Sequence, residues 1–379
     1  MHEKRLYAKF LTDAILVEQG RLLYALLYAF SRAGYQIELF DGFAHHQLGR
    51  CGKLVPDMPG VTMTQAPPSH PERSIYLYDV EDASLAALAW VKKLRINDDI
   101  FSPYCGKHPM ILPFAMHPRQ TGGDLDEKLA RLRTQRRTMR IFFSGDTKDY
   151  GRNRIRYPAP KLPRLEIVNI LKERVADHVA LIQEVPARDR LLEDERPFID
   201  RCVIMDTSRI WIEEPDWLDT LARSDFFLSP PGIVMPMCHN IIEAMAVGTI
   251  PITNYPEWMR PNLVHMENCI VFDDEADLIR KVQLALSLDK SEIARMRANV
   301  IDYYRKHLDP RSFVRGLEAR PERDITVLLY TGKNVRDNWA KLNRHSVLMR
   351  RADGITDSGR LICLFWNLLS NIRAFRLKR

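Results

Sequence analysis

The sequence predicts an α/β protein of two domains, each built on a doubly wound parallel sheet. From Met139 to Leu288, apolar runs short enough for buried strands alternate with stretches of helical periodicity, the rhythm of a parallel sheet covered by helices. A helix-to-strand step of the same kind lies between Gly20 and Phe40 near the start of the chain. The length, 379 residues of which 46% are apolar, is enough for two cores of ordinary size.

In the first domain, read as residues 1–125, Leu22, Leu23, Leu26, Leu27 and Phe30 recur at helical spacing, and Gly34 ends that helix. Tyr35–Phe40 follows as a strand. Ser74–Asp79 is a second strand, and a helical run passes through Leu85, Leu88 and Val91 before Pro103, Pro109, Pro113 and Pro118 break regular structure. From Thr121 to Arg140 the chain is polar and basic, as in a solvated helix or an interdomain link. Asp124-Leu125-Asp126 in that stretch is read as a helix N-cap with a first-turn acid, because it does not end a buried strand as a metal-binding pair would.

The second domain, read as 139–335, opens with the strand Met139–Gly145. A helix at Leu162–Val175, strands at Val179–Val185 and Cys202–Asp206 and a helix at Asp216–Arg223 come next. The strand Phe226–Ser229, the helix Met237–Ala246 and the strands Thr249–Thr253 and Cys269–Phe272 continue the pattern. Asp273 and Asp274 then cap a helix running to Leu288, followed by a helix at Lys290–Tyr304 and a strand at Ile325–Tyr330. Residues 336–379 form a helical extension. Its segment Arg360–Arg379 is amphipathic with a basic end, suited to packing on the protein or, alternatively, to a membrane surface.

Composition narrows the function. Charged residues make up 28% of the chain and interrupt every apolar stretch, which excludes a spanning helix of about 20 apolar residues. The net charge of +7 agrees with an anionic partner. Nucleic acid is not expected, since the arginines from Arg131 to Arg140 lack interleaved aromatics and belong to no nucleic-acid-binding motif. Cys51, Cys105, Cys202, Cys238, Cys269 and Cys363 never form a CxxC pair, and no signal-peptide layout follows Met1, so a cytoplasmic location is expected. No grouping of His, Cys and carboxylates has metal-ligand spacing, and no metal site is expected. The absence of a GxGxxG turn argues against a dehydrogenase or an epimerase.

Asp225–Thr253 carries the chemistry. A buried strand, the loop Pro230-Pro231-Gly232, a helix and a second buried strand succeed one another there. In open α/β sheets ligands bind where loops leave the carboxyl ends of strands. The helix start at Met237, Cys238 and His239 presents free N–H groups and a positive dipole end that suit a diphosphate. Glu243, one turn on, is expected to accept hydrogen bonds from sugar or ribose hydroxyls, and Gly248 permits the turn into the next strand.

The run His239-Asn240-Ile241-Ile242-Glu243-Ala244-Met245-Ala246-Val247-Gly248-Thr249-Ile250-Pro251-Ile252 resembles the donor-binding segment of GT-B glycosyltransferases, and most nearly that of exostosin-like enzymes. Met139–Gly145 and the basic loop with Lys148, Arg152, Arg154 and Arg156 resemble the start of their C-terminal domain. The resemblance covers residues 139 to about 290. It implies two Rossmann-like domains facing a cleft, and transfer of a sugar from a nucleotide-sugar donor to a glycan or lipid-linked acceptor, without a cofactor because the nucleotide-sugar is itself a substrate.

The donor-binding residues so implied are Ser144, Lys148, Arg152, Arg154, Pro231, Gly232, Cys238, His239, Asn240 and Glu243. Cys238 and Asn240 stand where the family usually has Ser and Arg, so Lys148, Arg152 or Arg154 is expected to supply the charge that the diphosphate needs. Met235 stands where many retaining relatives have a first glutamate, which points to inversion. The base that takes the acceptor proton is sought on loops after first-domain strands, at Asp41, His45, Asp79 or His117, with Asp41 and His45 preferred. A peripheral enzyme of surface-polysaccharide or glycoconjugate synthesis at the inner membrane face is the expectation drawn from the tail. The alternative is a non-catalytic nucleotide- or glycan-binding protein on the same fold.

Overall fold

A computed structural model describes residues 3–42, 45–86, 88, 91–103, 105–148, 155, 159–194 and 196–349. The chain forms two compact units, one of residues 1–118 with 308–379 and the other of residues 119–307. Each carries its own parallel sheet, so the two-domain Rossmann-like class predicted from the sequence is the class observed.

The first unit begins with β1 (Lys4–Lys9), α1 (Val17–Arg32), β2 (Tyr35–Phe40), α2 (Gly49–Gly52), β3 (Val61–Thr64), β4 (Ser74–Tyr78), α3 (Ala83–Ala86), β5 (Lys93–Asn97) and β6 (Met110–Ile111). Helix α1 forms because Leu22, Leu23, Leu26, Leu27 and Phe30 make one buried stripe. It stops at Gly34, whose φ of +81° suits a residue without a Cβ. Parallel strands need a crossover, and α1 supplies the one between β1 and β2, which pair in register Leu6↔Ile37.

The second unit contains α4 (Leu125–Arg133), β7 (Met139–Gly145), α5 (Arg164–Arg174), β8 (Val179–Ile182), α6 (Val185–Glu193), β9 (Cys202–Asp206), α7 (Glu214–Ala222) and β10 (Ser224–Ser229). It continues with α8 (His239–Ala246), β11 (Ile250–Thr253), β12 (Ile270–Val271), α9 (Glu275–Ser287) and α10 (Lys290–Tyr303). Its sheet runs β12-β11-β10-β7-β9-β8 with every pairing parallel. All seven residues of β7 are buried, as expected of a central strand covered on both faces. Phe142 and Phe227, on the adjacent strands β7 and β10, pack with ring centroids 6.4 Å apart.

The chain then returns to the first unit through α11 (Pro310–Glu318), β13 (Asp324–Leu328) and α12 (Gly332–Asn338). This differs from the sequence reading, which placed the strand at Ile325–Tyr330 in the second domain. β13 pairs with β5 in register Ile325↔Leu94 and Val327↔Ile96, and with β6, giving the first sheet the order β3-β2-β1-β4-β5-β13-β6. The physical reason is burial: Ile325, Val327 and Leu329 join Leu94, Ile96 and the stripe of α1 in one core.

The basic stretch before β7 also differs from the expected solvated link. Arg133 Nε donates to Ala246 O at 2.8 Å, and Arg137 donates to Val247 O at 2.7 Å and to Thr249 Oγ1 at 3.0 Å. Two arginines thus satisfy carbonyls at the end of α8, where the helix dipole is negative. Asp124 is an N-cap, as expected, and accepts from Glu127 N at 3.1 Å. Asp274 caps α9 in the same way. The amphipathic segment Arg360–Arg379 lies outside the described residues. Among the described residues, no helix is long and apolar enough to cross a membrane.

Candidate functional site

In the second sheet the central strand β7 is followed by β8 and β9 on one side, after which the chain crosses to β10, β11 and β12 on the other. The topological switch point therefore lies between β7 and β10, and the loops after their carboxyl ends flank the crevice in which such sheets bind ligands. Those loops are Asp146-Thr147-Lys148, after β7, and Pro230–Met237, after β10.

The structure brings the sequence-predicted residues Ser144, Pro231, Gly232, Cys238, His239 and Asn240 to this point. Asn240 Nδ2 donates to Ser144 O at 3.3 Å and so ties the start of α8 to the end of β7. Ser144 is buried. The loop closes on itself through Gly232 N, which donates to Pro236 O at 3.2 Å. A Cβ on Gly232 would lie 2.3 Å from Met235 O, so only glycine fits this turn.

Cys238 is the N-cap of α8, in extended backbone conformation, and its side chain makes no capping hydrogen bond. Burial pushes its thiol up, with the Arg164 guanidinium and the Asn240 and Ile241 N–H groups pulling the other way. A neutral thiol is a weak acceptor, so the first turn of α8 keeps donor capacity for a stronger one such as a phosphate oxygen. Burial also pushes the Tyr255 hydroxyl up, and this hydroxyl shares a 2.6 Å hydrogen bond with Ser229 Oγ that joins the carboxyl ends of β10 and β11.

The loop after β7 is held from below. Asp206, at the end of β9, accepts from Thr147 N, Thr147 Oγ1 and Ser208 N. Burial raises the Asp206 pKa, but these hydrogen bonds outweigh it and hold the carboxyl below its ordinary range. Lys148 is exposed beside this clasp. Arg152 and Arg154 lie outside the described residues.

One cation escaped the sequence reading. Arg164, the first residue of α5, is buried, donates from Nη1 to Asp146 O at 3.0 Å, and acts electrostatically on both Cys238 and Tyr255. The signal was available in principle, since the helix after the central strand of a doubly wound sheet starts at the crevice. The prolines at 158, 160 and 163 obscured where that helix begins.

Glu243 stands differently from the expectation. It is fully buried, and its Oε2 accepts from Trp217 Nε1 of α7 at 2.5 Å. The carboxylate is thereby directed at the neighbouring helix, and Ile241 through Ala246 are buried on every side of α8. In the first unit, Asp41 is exposed just after β2, with its N–H bonded to Thr64 O at 2.7 Å. His45 lies in a short 3-10 turn, His45–Leu48, after the same strand, and its side chain lies outside the described residues.

No protein-family model matches the chain, and no curated protein matches it. Solved structures do. One is Anabaena HepE in complex with UDP and glucose, at 12% identity over 84% of this chain and 98% of that chain, with a TM-score of 0.39. A sucrose-phosphate synthase from Thermosynechococcus elongatus matches at 12% identity over 83% of this chain and 98% of that chain, with a TM-score of 0.40. A glycosyltransferase from Rickettsia africae matches at 11% identity over 83% and 97% of the two chains, with a TM-score of 0.41. Likeness at this level carries no residue role from those proteins to this one.

Proposed function

We propose that the chain is a nucleotide-sugar-dependent glycosyltransferase of the GT-B type, inverting and metal-independent, acting on a glycan or lipid-linked acceptor. The observation that supports this best is the meeting, at the switch point of the second sheet, of a glycine-closed loop, a helix start without a side-chain cap, and the buried guanidinium of Arg164. That is an anion site of the kind a nucleotide diphosphate fills. Lys148, Arg152 and Arg154 add charge for the leaving group. Glu243 acts by holding α8 against α7, so its influence on the donor passes through the helix start. Met235, in place of the glutamate of retaining enzymes, favours a single displacement with inversion. In the first unit the sequence offers Asp41 and His45 as the base.

A thermal-shift screen of nucleoside diphosphates and CMP tests the reading. Stabilisation by one nucleotide, reduced in Lys148→Ala and in Arg164→Lys, is expected. Indifference of folded protein to every nucleotide would leave the non-catalytic reading in its place. The exostosin-like kinship and a role in polysaccharide or glycoconjugate synthesis rest on the resemblance of residues 139–290. Peripheral membrane binding rests on the basic amphipathic tail, and failure to sediment with anionic liposomes, with or without residues 360–379, would remove it.

A further inference from the structure

The amino end of the second sheet gathers arginines. Arg137 precedes β7, Arg140 lies in its first turn of pleat, and Arg297 reaches from α10 towards Asp225, the second residue of β10. This is the opposite end of the strands from the crevice described above. Along β7, Arg140 and the crevice residue Ser144 are separated by about 13 Å.

The charges in this cluster do not balance. Asp225 is the carboxylate that two of the arginines share: Arg297 Nη2 pairs with its Oδ1, and Arg140 Nη1 stands 3.4 Å from its Oδ2. Arg137 gives its Nη donors to Val247 O, Thr249 Oγ1 and Ser224 O. Those acceptors are neutral, so they satisfy hydrogen bonds and leave the charge. Burial, with the Arg297 guanidinium adding to it, pushes the Arg137 pKa down to about 9, and Asp225 offsets only part of that. A second carboxylate, Asp200, lies 3.5 Å from Arg140 Nη2, but it is 71% exposed and water screens it. Three guanidiniums around one partly buried carboxylate leave a surplus of two positive charges where charges are ordinarily paired.

The donors are underused as well. The Nε atoms of Arg137, Arg140 and Arg297 are buried and, among the described residues, have no hydrogen-bond partner. Arg140 is itself buried, and its guanidinium contacts with Asp225, Asp200 and Leu288 O stand at 3.4, 3.5 and 3.5 Å, longer than the about 2.7–3.2 Å of a well-formed N–H···O bond.

We propose that Arg137, Arg140 and Arg297 form a binding site for a phosphate group at the amino end of the second sheet, separate from the nucleotide crevice at its carboxyl end. A phosphate supplies what the cluster lacks: negative charge, and lone pairs for idle N–H groups. Guanidinium groups suit it because their planar forks match the spacing of phosphate oxygens and keep their charge when partly buried. The bound group ties the starts of β7 and β10 to α10, so it stabilises the second unit whatever the crevice holds.

The test is equilibrium dialysis of the full chain against radiolabelled inorganic phosphate, standing for the free ion, and glycerol phosphate, standing for an esterified one, at an ionic strength fixed with potassium chloride. Saturable binding of either probe is expected, left in place by Arg164→Lys, weakened at least about tenfold by Arg140→Met, and tightened by Asp225→Asn, which removes the carboxylate that competes with the ion. The bound probe should also raise the Tm of wild type but not of Arg140→Met. Where Arg140→Met does not fold, Arg140→Lys keeps the charge without the fork and should show the loss in smaller measure. A cluster that serves structure alone would lose stability in Asp225→Asn without gaining affinity for phosphate, and that result overturns the proposal. So does the absence of saturable binding above chloride, or binding that Arg164→Lys abolishes and Arg140→Met leaves intact, which would belong to the nucleotide crevice.

Discussion

Trp217 Nε1 donates to the fully buried Glu243 carboxylate, and a buried acceptor that loses one donor keeps its desolvation cost without the bond that helps offset it. Trp217→Phe is therefore expected to destabilise the protein by about 1–3 kcal/mol, measurable by urea denaturation. An unchanged midpoint would mean that the bond does not hold α8. Asp206 gives a pH signature. Its folded-state pKa lies below the unfolded value, so its contribution is complete above the ordinary carboxylate range and is lost only as pH falls through the lowered folded value. Wild type should then show no stability change from this group between about pH 5 and 8, and Asp206→Asn should be less stable across that window while losing part of the acid-side slope. A stability difference that vanishes at neutral pH would contradict the clasp on Thr147.

At the scale of elements, α8 is held at its end by cations and left uncapped by side chains at its start. Arg137 reaches Ser224 O, Thr249 Oγ1 and Val247 O from a half-buried position. Arg137→Met, which keeps the apolar stem but removes the donors, should cost about 2–3 kcal/mol by denaturant titration; a cost near zero would mean that solvent replaces the guanidinium. Elements marked by an apolar run or by a turn residue at their start were legible in the sequence: β7 and β9 run over the residues read as strands, and so does the alternating β2, which follows the turn at Gly34. Those whose fit depends on distant partners were not. β1, in Lys4-Arg5-Leu6-Tyr7-Ala8-Lys9, is half charged and becomes a strand because β2 and β4 flank it. β5, in Lys93-Leu94-Arg95-Ile96-Asn97, is alternating and short, and β4 and β13 enclose it. The site followed the same division. The loop and helix start at 230–240 were visible because glycine, proline and a helical run adjoin in sequence, whereas Arg164 reaches its crevice only through strand order.

For the whole molecule, strand pairing makes the two units unequal in sequence continuity. Residues 119–307 form one uninterrupted unit, while the other is completed only when the chain returns with α11 and β13. Expressed alone, residues 119–307 should give a cooperative thermal transition, and residues 1–118 should not fold until residues 308–349 are supplied, as hydrogen exchange of β5 would report. Protected β5 amides in 1–118 alone would contradict the pairing with β13. The central claim, that the second unit binds a nucleotide-activated sugar for transfer, is tested most directly by following nucleoside diphosphate or CMP release from UDP-, GDP-, dTDP- and CMP-sugars by full-length protein with octyl glycosides and free sugars as acceptors, the product anomer being read by NMR. Release from one donor, with the anomeric configuration inverted and turnover lowered in Arg164→Lys, is the predicted result. Folded protein that releases no nucleotide from any donor would contradict it.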